Sequence, residues 1–382
     1  AFYEMTDQVP IRIGTGELIV GNLAEKPRVP YFPQESWNYR KYVPGKPFPL
    51  NAGYFSTDIE FDLLIPEEIG DYWKNQPPGG TAGHFSADYE RVLRYGFSGI
   101  AGQINEYRET HRKHGTLNRE KDDFYEAALI TCNAAIRFAE RYAMKAELLA
   151  NDERNPERKA ELIRLAEVCR RCPAQPADSF YEAMQSLWFT QVLLHLNSRE
   201  ASISPGRFDQ YMYPFYRRDI DSGALTNLQA EELMACLWIK FNELRVFTDI
   251  ITYQNIIVGG TDAFGNDATN DLTWLCLKTT AMIEGSQPSL TMRWHEGTPP
   301  ELLNTACEIN LMGSGKPALF NDHINIPALK ATGLSQEEAR DYMIVGCEEL
   351  SVPGKIFGLV RAGTLNNPRC LLKALEGDPE RF

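Results

Sequence analysis

The residues best suited to chemistry lie in one stretch, Tyr342-Met-Ile-Val-Gly-Cys-Glu-Glu-Leu-Ser-Val-Pro-Gly-Lys355. Met343, Ile344 and Val345 form an apolar, β-branched run that reads as a buried strand. It ends at Gly346, so the Cys347 thiol sits where the strand gives out. Cys347 and Glu349 are two residues apart and in extended backbone point to the same side, with Glu348 on the other. A sulfur is thereby paired with a carboxylate that can act as general base on a hydroxyl or amine. The plain alternative is a buried cysteine followed by a solvated loop, because free cysteine is among the most buried residue types. Two carboxylates directly after the thiol weigh against it, since carboxylates are almost never buried without a partner or a task. They also disfavour a thiolate, which argues against ordinary thiolate catalysis. Pro353-Gly354 predicts a turn that holds the pair on a short finger.

Something must position that finger. The chain has 382 residues, enough for one large domain or two. Its formal net charge of -13 argues against nucleic-acid or anionic-membrane partners. No apolar run reaches the length of a membrane span and the N-terminus lacks signal-peptide features, so the expectation is a soluble, cytoplasmic protein. The eight cysteines show no paired zinc-ligand pattern, and Cys169-Arg-Arg-Cys172 reads as helix packing. No metal is expected.

Two textures divide the chain. Residues 1–245 are mostly helical after a Pro- and aromatic-rich start, 1–56, in which Thr15 to Asn22 reads as a short strand. Helices are predicted from Asp88 to Ile104, over two outer, solvated runs between Arg119 and Arg171, from Ser179 through Leu193, over Phe208–Tyr216 and from Thr226 to Leu244. Residues 246–382 alternate strand candidates (Ile256–Val258, Leu290–Arg293, Ala318–Phe320, Met343–Val345) with helices (Asn270–Ile283, Pro300–Met312, Ser335–Arg340). Thr298-Pro-Pro-Glu301 and Ser335-Gln-Glu-Glu338 carry capping-box signatures. Such alternation predicts a parallel α/β sheet or barrel, with ligands at the carboxyl ends of strands, where Cys347 would stand.

The phrases Gly83-His-Phe-Ser-Ala-Asp-Tyr-Glu-Arg-Val-Leu93, Ser202-Ile-Ser-Pro-Gly-Arg-Phe-Asp-Gln-Tyr211, Gly259-Gly260 with Asp267-Ala-Thr-Asn270, and Gly346-Cys-Glu-Glu349 occur in this order. In them the chain resembles the glycyl radical enzymes, the pyruvate formate-lyase-like family, in its Gly-Cys-x-Glu branch of dehydratases, lyases and decarboxylases. The resemblance implies an α/β fold: a ten-stranded barrel of two parallel half-barrels, of which this chain would supply the first half behind a large helical region. It implies no directly bound cofactor. Instead an activating enzyme using S-adenosylmethionine and an iron–sulfur cluster makes a radical at a glycine, which then makes a thiyl radical at the cysteine, here Cys347. It also implies a homodimer acting on a small molecule, with Glu349 as base. The Arg-Val-x-Gly phrase around the radical glycine is not among these residues, and family members are about twice as long, so an incomplete domain, inactive alone, is expected.

Departures narrow the reading. Gly346 stands where pyruvate formate-lyase has a second cysteine, which argues against formate acetyltransferase activity. Leu359-Val-Arg361 replaces the Trp-His-Asp of diol dehydratases, which argues against glycerol or propanediol dehydration. Arg361 suits a carboxylate or sulfonate, because guanidinium binds such groups bidentately; a salt bridge on the finger would explain it equally. Ser202 lies where diol dehydratases place a substrate-binding serine, and His84 opens a helix in position to face substrate; a loop hydroxyl and a helix-end histidine are their plainer readings. Arg293, Trp294, His295 and Asn321-Asp322-His323 follow strand candidates and are expected to line the barrel. The expected activity is radical cleavage of a C–O, C–N, C–S or C–C bond in a small anionic substrate. Radical addition to fumarate of the arylalkylsuccinate synthase type is the rival within the family, against which Glu349 counts, and a non-catalytic remnant is the rival outside it.

Overall fold

A computed structural model describes residues 2–23, 84–197, 202–244, 253–356 and 371–372. The segment 24–56, the crossing before His84, and Arg361 lie outside these residues.

The N-terminal part is a helical layer. Helix α1 (Phe2–Gln8) is followed by α2 (Tyr89–Lys113), α3 (Arg119–Asp152), α4 (Pro156–Arg171), α5 (Phe180–Asn197), α6 (Phe208–Tyr211), α7 (Tyr213–Asp221) and α8 (Asn227–Glu243). Asn118, Asn155 and Thr226 cap their helices with side-chain oxygens on the first free amides. The Ser179–Glu182 signature holds, with Glu182 N donating to Ser179 Oγ at 3.1 Å. Helix α5 is apolar nearly all round and buries Met184, Leu187, Trp188, Phe189 and Val192, the pattern of a helix inside a core. Each such side chain contributes roughly 1.5–3 kcal/mol of burial. Helix α3 is less solvated than its charge predicts, because Ala135, Phe138, Ala139, Tyr142 and Ala146 put one face into the same core. Residues 15–22 form no strand. Val20 instead gives its backbone N–H and C=O to the Gln185 amide, at 2.9 and 2.7 Å, so a side chain of α5 replaces a ladder partner.

Next come β1 (Asn255–Gly259), α9 (Asp271–Met282), β2 (Ser289–Trp294), α10 (Pro300–Ile309) and β3 (Ala318–Asn321). The three strands are parallel and adjacent in chain order, as the alternation requires. Parallel bridges Gly206↔Ile256 and Phe85↔Ile203 extend this row by two further segments. Both come from the region read as helical, so the 245/246 boundary does not separate the sheet from the helices. Along β1 and β2, Ile256, Val258, Leu290 and Met292 face the helical core, while Ile257 faces a second, smaller cluster.

That second cluster is built by the finger. After α11 (Asp322–Ala331) and α12 (Gln336–Arg340), β4 (Met343–Val345) pairs antiparallel with β5 (Glu349–Ser351), in register Val345↔Glu349. Met343–Val345 is therefore one arm of a hairpin, not a further parallel strand. Tyr342, Met343, Ile344 and Val345 are buried with Ile257, which fixes the hairpin against the sheet.

Candidate functional site

The loop Gly346-Cys-Glu348 is the hairpin tip, so Cys347 stands at a turn instead of at the carboxyl end of a parallel strand. Gly346 takes φ 64°. A Cβ there would lie 2.2 Å from His84 Cδ2 and 2.8 Å from Glu349 Oε2, so only glycine fits. Asn255, at the start of β1, donates from Nδ2 to the Gly346 carbonyl at 3.3 Å and holds the turn to the sheet.

Around this turn the Glu349 carboxylate folds back on its own loop. Oε2 accepts from Cys347 N at 3.0 Å and from Glu348 N at 3.1 Å. Its other oxygen, Oε1, stands 3.4 Å from His84 Nε2. His84 has φ 66°, left-handed backbone that a residue with a Cβ seldom adopts, which marks a position held by its surroundings. Cys347, Glu349 and His84 are thus brought together.

Cys347 is exposed on a cavity of about 290 Å³ whose walls include Gly346, Asn255, Ser289, Lys316 and Ala318. Asn255, Ser289, Lys316 and Ala318 lie at or before the amino ends of β1, β2 and β3, so the cavity is at the opposite end of the strands from the one the sequence pattern predicts. The reason is the direction of β4, which runs from Tyr342, beside Arg293 near the carboxyl end of β2, to Gly346, beside Asn255 at the amino end of β1, and so carries the thiol back along the sheet before the hairpin turns.

Ser202 is buried in the neighbouring segment. Its carbonyl accepts from Phe85 N at 3.3 Å, and its Oγ has no hydrogen-bond partner among the described residues. The residues after the strands do not line this cavity. Arg293 and Asp322 form a bidentate pair under the finger, Nε to Oδ1 at 2.8 Å and Nη2 to Oδ2 at 2.7 Å, and His295 Nε2 lies 3.1 Å from Asp267 Oδ1. Sequence reasoning missed Asn255 and Lys316. Lys316, between Gly315 and Pro317, carried the one available signal, a cation two residues before a strand start. Burial pushes the Cys169 and Cys172 thiols up, in keeping with packing, and among the described residues no group of three or more metal-binding side chains occurs.

The model of the family described as pyruvate formate lyase-like matches residues 72–381. The chain is 34% identical to (2S)-3-sulfopropanediol dehydratase from Klebsiella oxytoca over 84% of its own length and 40% of that protein's. It is 39% identical to isethionate sulfite-lyase from Oleidesulfovibrio alaskensis over 70% of its length and 34% of that protein's. Glycerol-bound B12-independent glycerol dehydratase from Clostridium butyricum superposes with a TM-score of 0.80 and 34% identity, covering 93% of this chain and 49% of that one. The chain therefore spans between a third and a half of these relatives. It belongs to the pyruvate formate lyase-like family, the glycyl radical enzymes.

Proposed function

We propose that these residues are part of an anaerobic radical lyase that cleaves a C–O, C–N, C–S or C–C bond in a small anionic substrate, with Cys347 as hydrogen-atom carrier and Glu349 as base. The observation that carries this reading is the hairpin tip, where a thiol open to a cavity and a carboxylate hydrogen-bonded to the thiol's own backbone share one turn. In full the fold would be a ten-stranded barrel, with the described parallel segments in one half and the finger inside. A glycyl radical elsewhere in the protein, installed by an S-adenosylmethionine-dependent activating enzyme, would supply the oxidising equivalent that removes the hydrogen atom from the Cys347 thiol. The family resemblance also favours a homodimer.

Sulfur holds hydrogen about as loosely as an activated carbon does, so the Cys347 thiyl takes a hydrogen atom from a substrate C–H and later returns it with little thermodynamic penalty. Glu349 takes the proton from the hydroxyl or amine on the same carbon. The electron density released expels the leaving group from the adjacent carbon, and the hydrogen atom returned from Cys347 completes the product. His84, 3.4 Å from Glu349 Oε1, would pass that proton on to the leaving group. Both amides on Oε2 keep the carboxylate aimed while it works.

The test is anaerobic activation of the full-length protein. An organic radical signal in electron paramagnetic resonance and cleavage of a hydroxylated sulfonate or carboxylate are expected; an activated protein with no such signal would sink the reading. Glu349→Gln is expected to keep the radical and lower kcat by about 10²–10⁴-fold, the usual worth of a general base. Undiminished turnover in that variant would remove Glu349 from the mechanism. Gly346→Ala is expected to push His84 and Glu349 apart, with kcat falling about 10²-fold for a shift of order 1 Å. Its stability loss should combine about 1–2 kcal/mol for a left-handed alanine with roughly 1–3 kcal/mol for displacing the His84 ring. Wild-type kcat in Gly346→Ala would show that the close approach of these groups is irrelevant.

A further inference from the structure

The cavity beside Cys347 is lined by a lysine, Lys316, whose charge no described residue neutralises. Lys316 is 7% exposed and lies just before β3 on the cavity wall. Its Nζ donates to the Gly285 carbonyl at 2.7 Å, and burial pushes its pKa down. Among the described residues no carboxylate pairs with it, although an ammonium has three donors to place.

The other buried lysine and arginines among the described residues are matched. Lys240 Nζ meets Glu17 at 3.1 Å and Glu243 at 2.7 Å. Arg293 holds Asp322 at 2.7 Å, and Arg207 reaches Asp341 at 3.4 Å. Burying an unpaired charge is costly, so a lysine at this place is unfavourable unless an anion joins it. The same wall includes Ser289 and Ser314, whose hydroxyls accept from Gln287 Nε2 and Lys316 N and so keep their own protons to donate to an anion.

We propose that Lys316 is the specificity-determining residue that binds the sulfonate or carboxylate end of a small substrate while the reacting carbon lies at Cys347. This rests on the radical lyase reading and adds the substrate's charged end and the residue that reads it. A neutral diol would enter the cavity and leave the ammonium unpaired, so the lysine selects against diols as well as for anions.

The test measures binding by calorimetry on the full-length, unactivated protein, with isethionate, (2S)-3-sulfopropanediol, 3-hydroxypropanoate and glycerol as probes. The wild type is expected to bind at least one of the three anions ten-fold or more tightly than glycerol. Lys316→Met should lose at least ten-fold on that anion and less than two-fold on glycerol, and Lys316→Arg should recover most of the loss. The proposal is overturned if the wild type prefers glycerol or binds none of the anions. It is equally overturned if Lys316→Met keeps anion affinity within two-fold, or loses the same factor for glycerol. Binding is read without the radical, so the two ideas fail separately. Full turnover in Cys347→Ala would undo the lyase reading alone, and unchanged anion binding in Lys316→Met would undo this assignment alone.

Discussion

Cys347→Ala in the activated, full-length protein is expected to abolish turnover, a loss of at least about a thousand-fold or about 4 kcal/mol in the barrier, while folding and substrate binding persist. The hairpin is held by Tyr342 to Val345 against Ile257 and by Asn255 on the Gly346 carbonyl, and none of these contacts uses the Cys347 side chain. An exposed substitution away from packed features changes stability by about 0.5 kcal/mol or less. Cys347→Ser separates the roles further, because an O–H bond is too strong to give up its hydrogen atom to a glycyl radical although the side chain keeps nearly the same shape. Each variant should therefore retain the organic radical signal after activation and bind substrate like the wild type. Rapid-quench product analysis, electron paramagnetic resonance and calorimetry on one preparation would check this. Residual turnover above a few per cent in either variant would mean that another group carries the hydrogen atom.

The thiol and carboxylate were legible because their types and spacing are local, but their geometry was not. Alternation in extended backbone puts Cys347 and Glu349 on one side; in the protein Cys347 sits in a turn, and Glu349 reaches back to its amide. An apolar run such as Met343 to Val345 signals burial without direction, so β4 read as parallel when it is the first arm of a hairpin. The turn that closes the hairpin is Gly346 to Glu348, whereas Pro353-Gly354 turns the chain after it. Capping boxes were readable where the signature was unobstructed, as at Ser335 and Glu338. At Thr298 no box forms, because the helix takes Pro299 as its N-cap and Thr298 turns back on His295, its N–H donating to the His295 carbonyl at 2.9 Å and its hydroxyl accepting from His295 N at 3.0 Å. Helix α11 escaped notice because Pro327 lies inside it, although Asn321 supplies its cap. The segments at Phe85 and Ile203 are too short to show a period of two, and only tertiary packing reveals them as members of the parallel row.

The largest stability effect is expected beneath the finger, at Asp322. Arg293 is fully buried, and both oxygens of Asp322 accept from its guanidinium, while Arg293 Nη1 donates to the Arg340 and Tyr342 carbonyls at 2.9 and 3.1 Å. The guanidinium carbon lies 4.0 Å from the centre of the Tyr342 ring, and the Tyr342 hydroxyl donates to Asp322 Oδ1 at 2.8 Å. One ion pair thus ties β2 and the head of α11 to the backbone that enters β4. Asp322→Ala would leave the guanidinium buried without its counter-charge, a loss of about 3–5 kcal/mol. Replacing both members with apolar residues of similar volume, Arg293→Met with Asp322→Leu, should cost far less than Asp322→Ala alone, because no charge is then stranded. Denaturant midpoints would report the difference, and hydrogen exchange at Tyr342 to Gly346 would show whether the finger loosens first. The pH dependence has a definite sign. Burial alone would raise the Asp322 pKa, but the Arg293 hydrogen bonds and charge, with the hydroxyls of Tyr342 and Thr261, outweigh it and hold the carboxyl below its ordinary value. The pair's stabilisation is therefore complete above the unfolded carboxyl's pKa of about 3.9 and fades as acid takes the pH down through the lower folded value. Asp322→Ala should lose that part of the acid sensitivity along with the stability. A loss below about 1 kcal/mol, with unchanged exchange in the finger, would mean that the hydrophobic contacts of Ile257 hold the hairpin unaided.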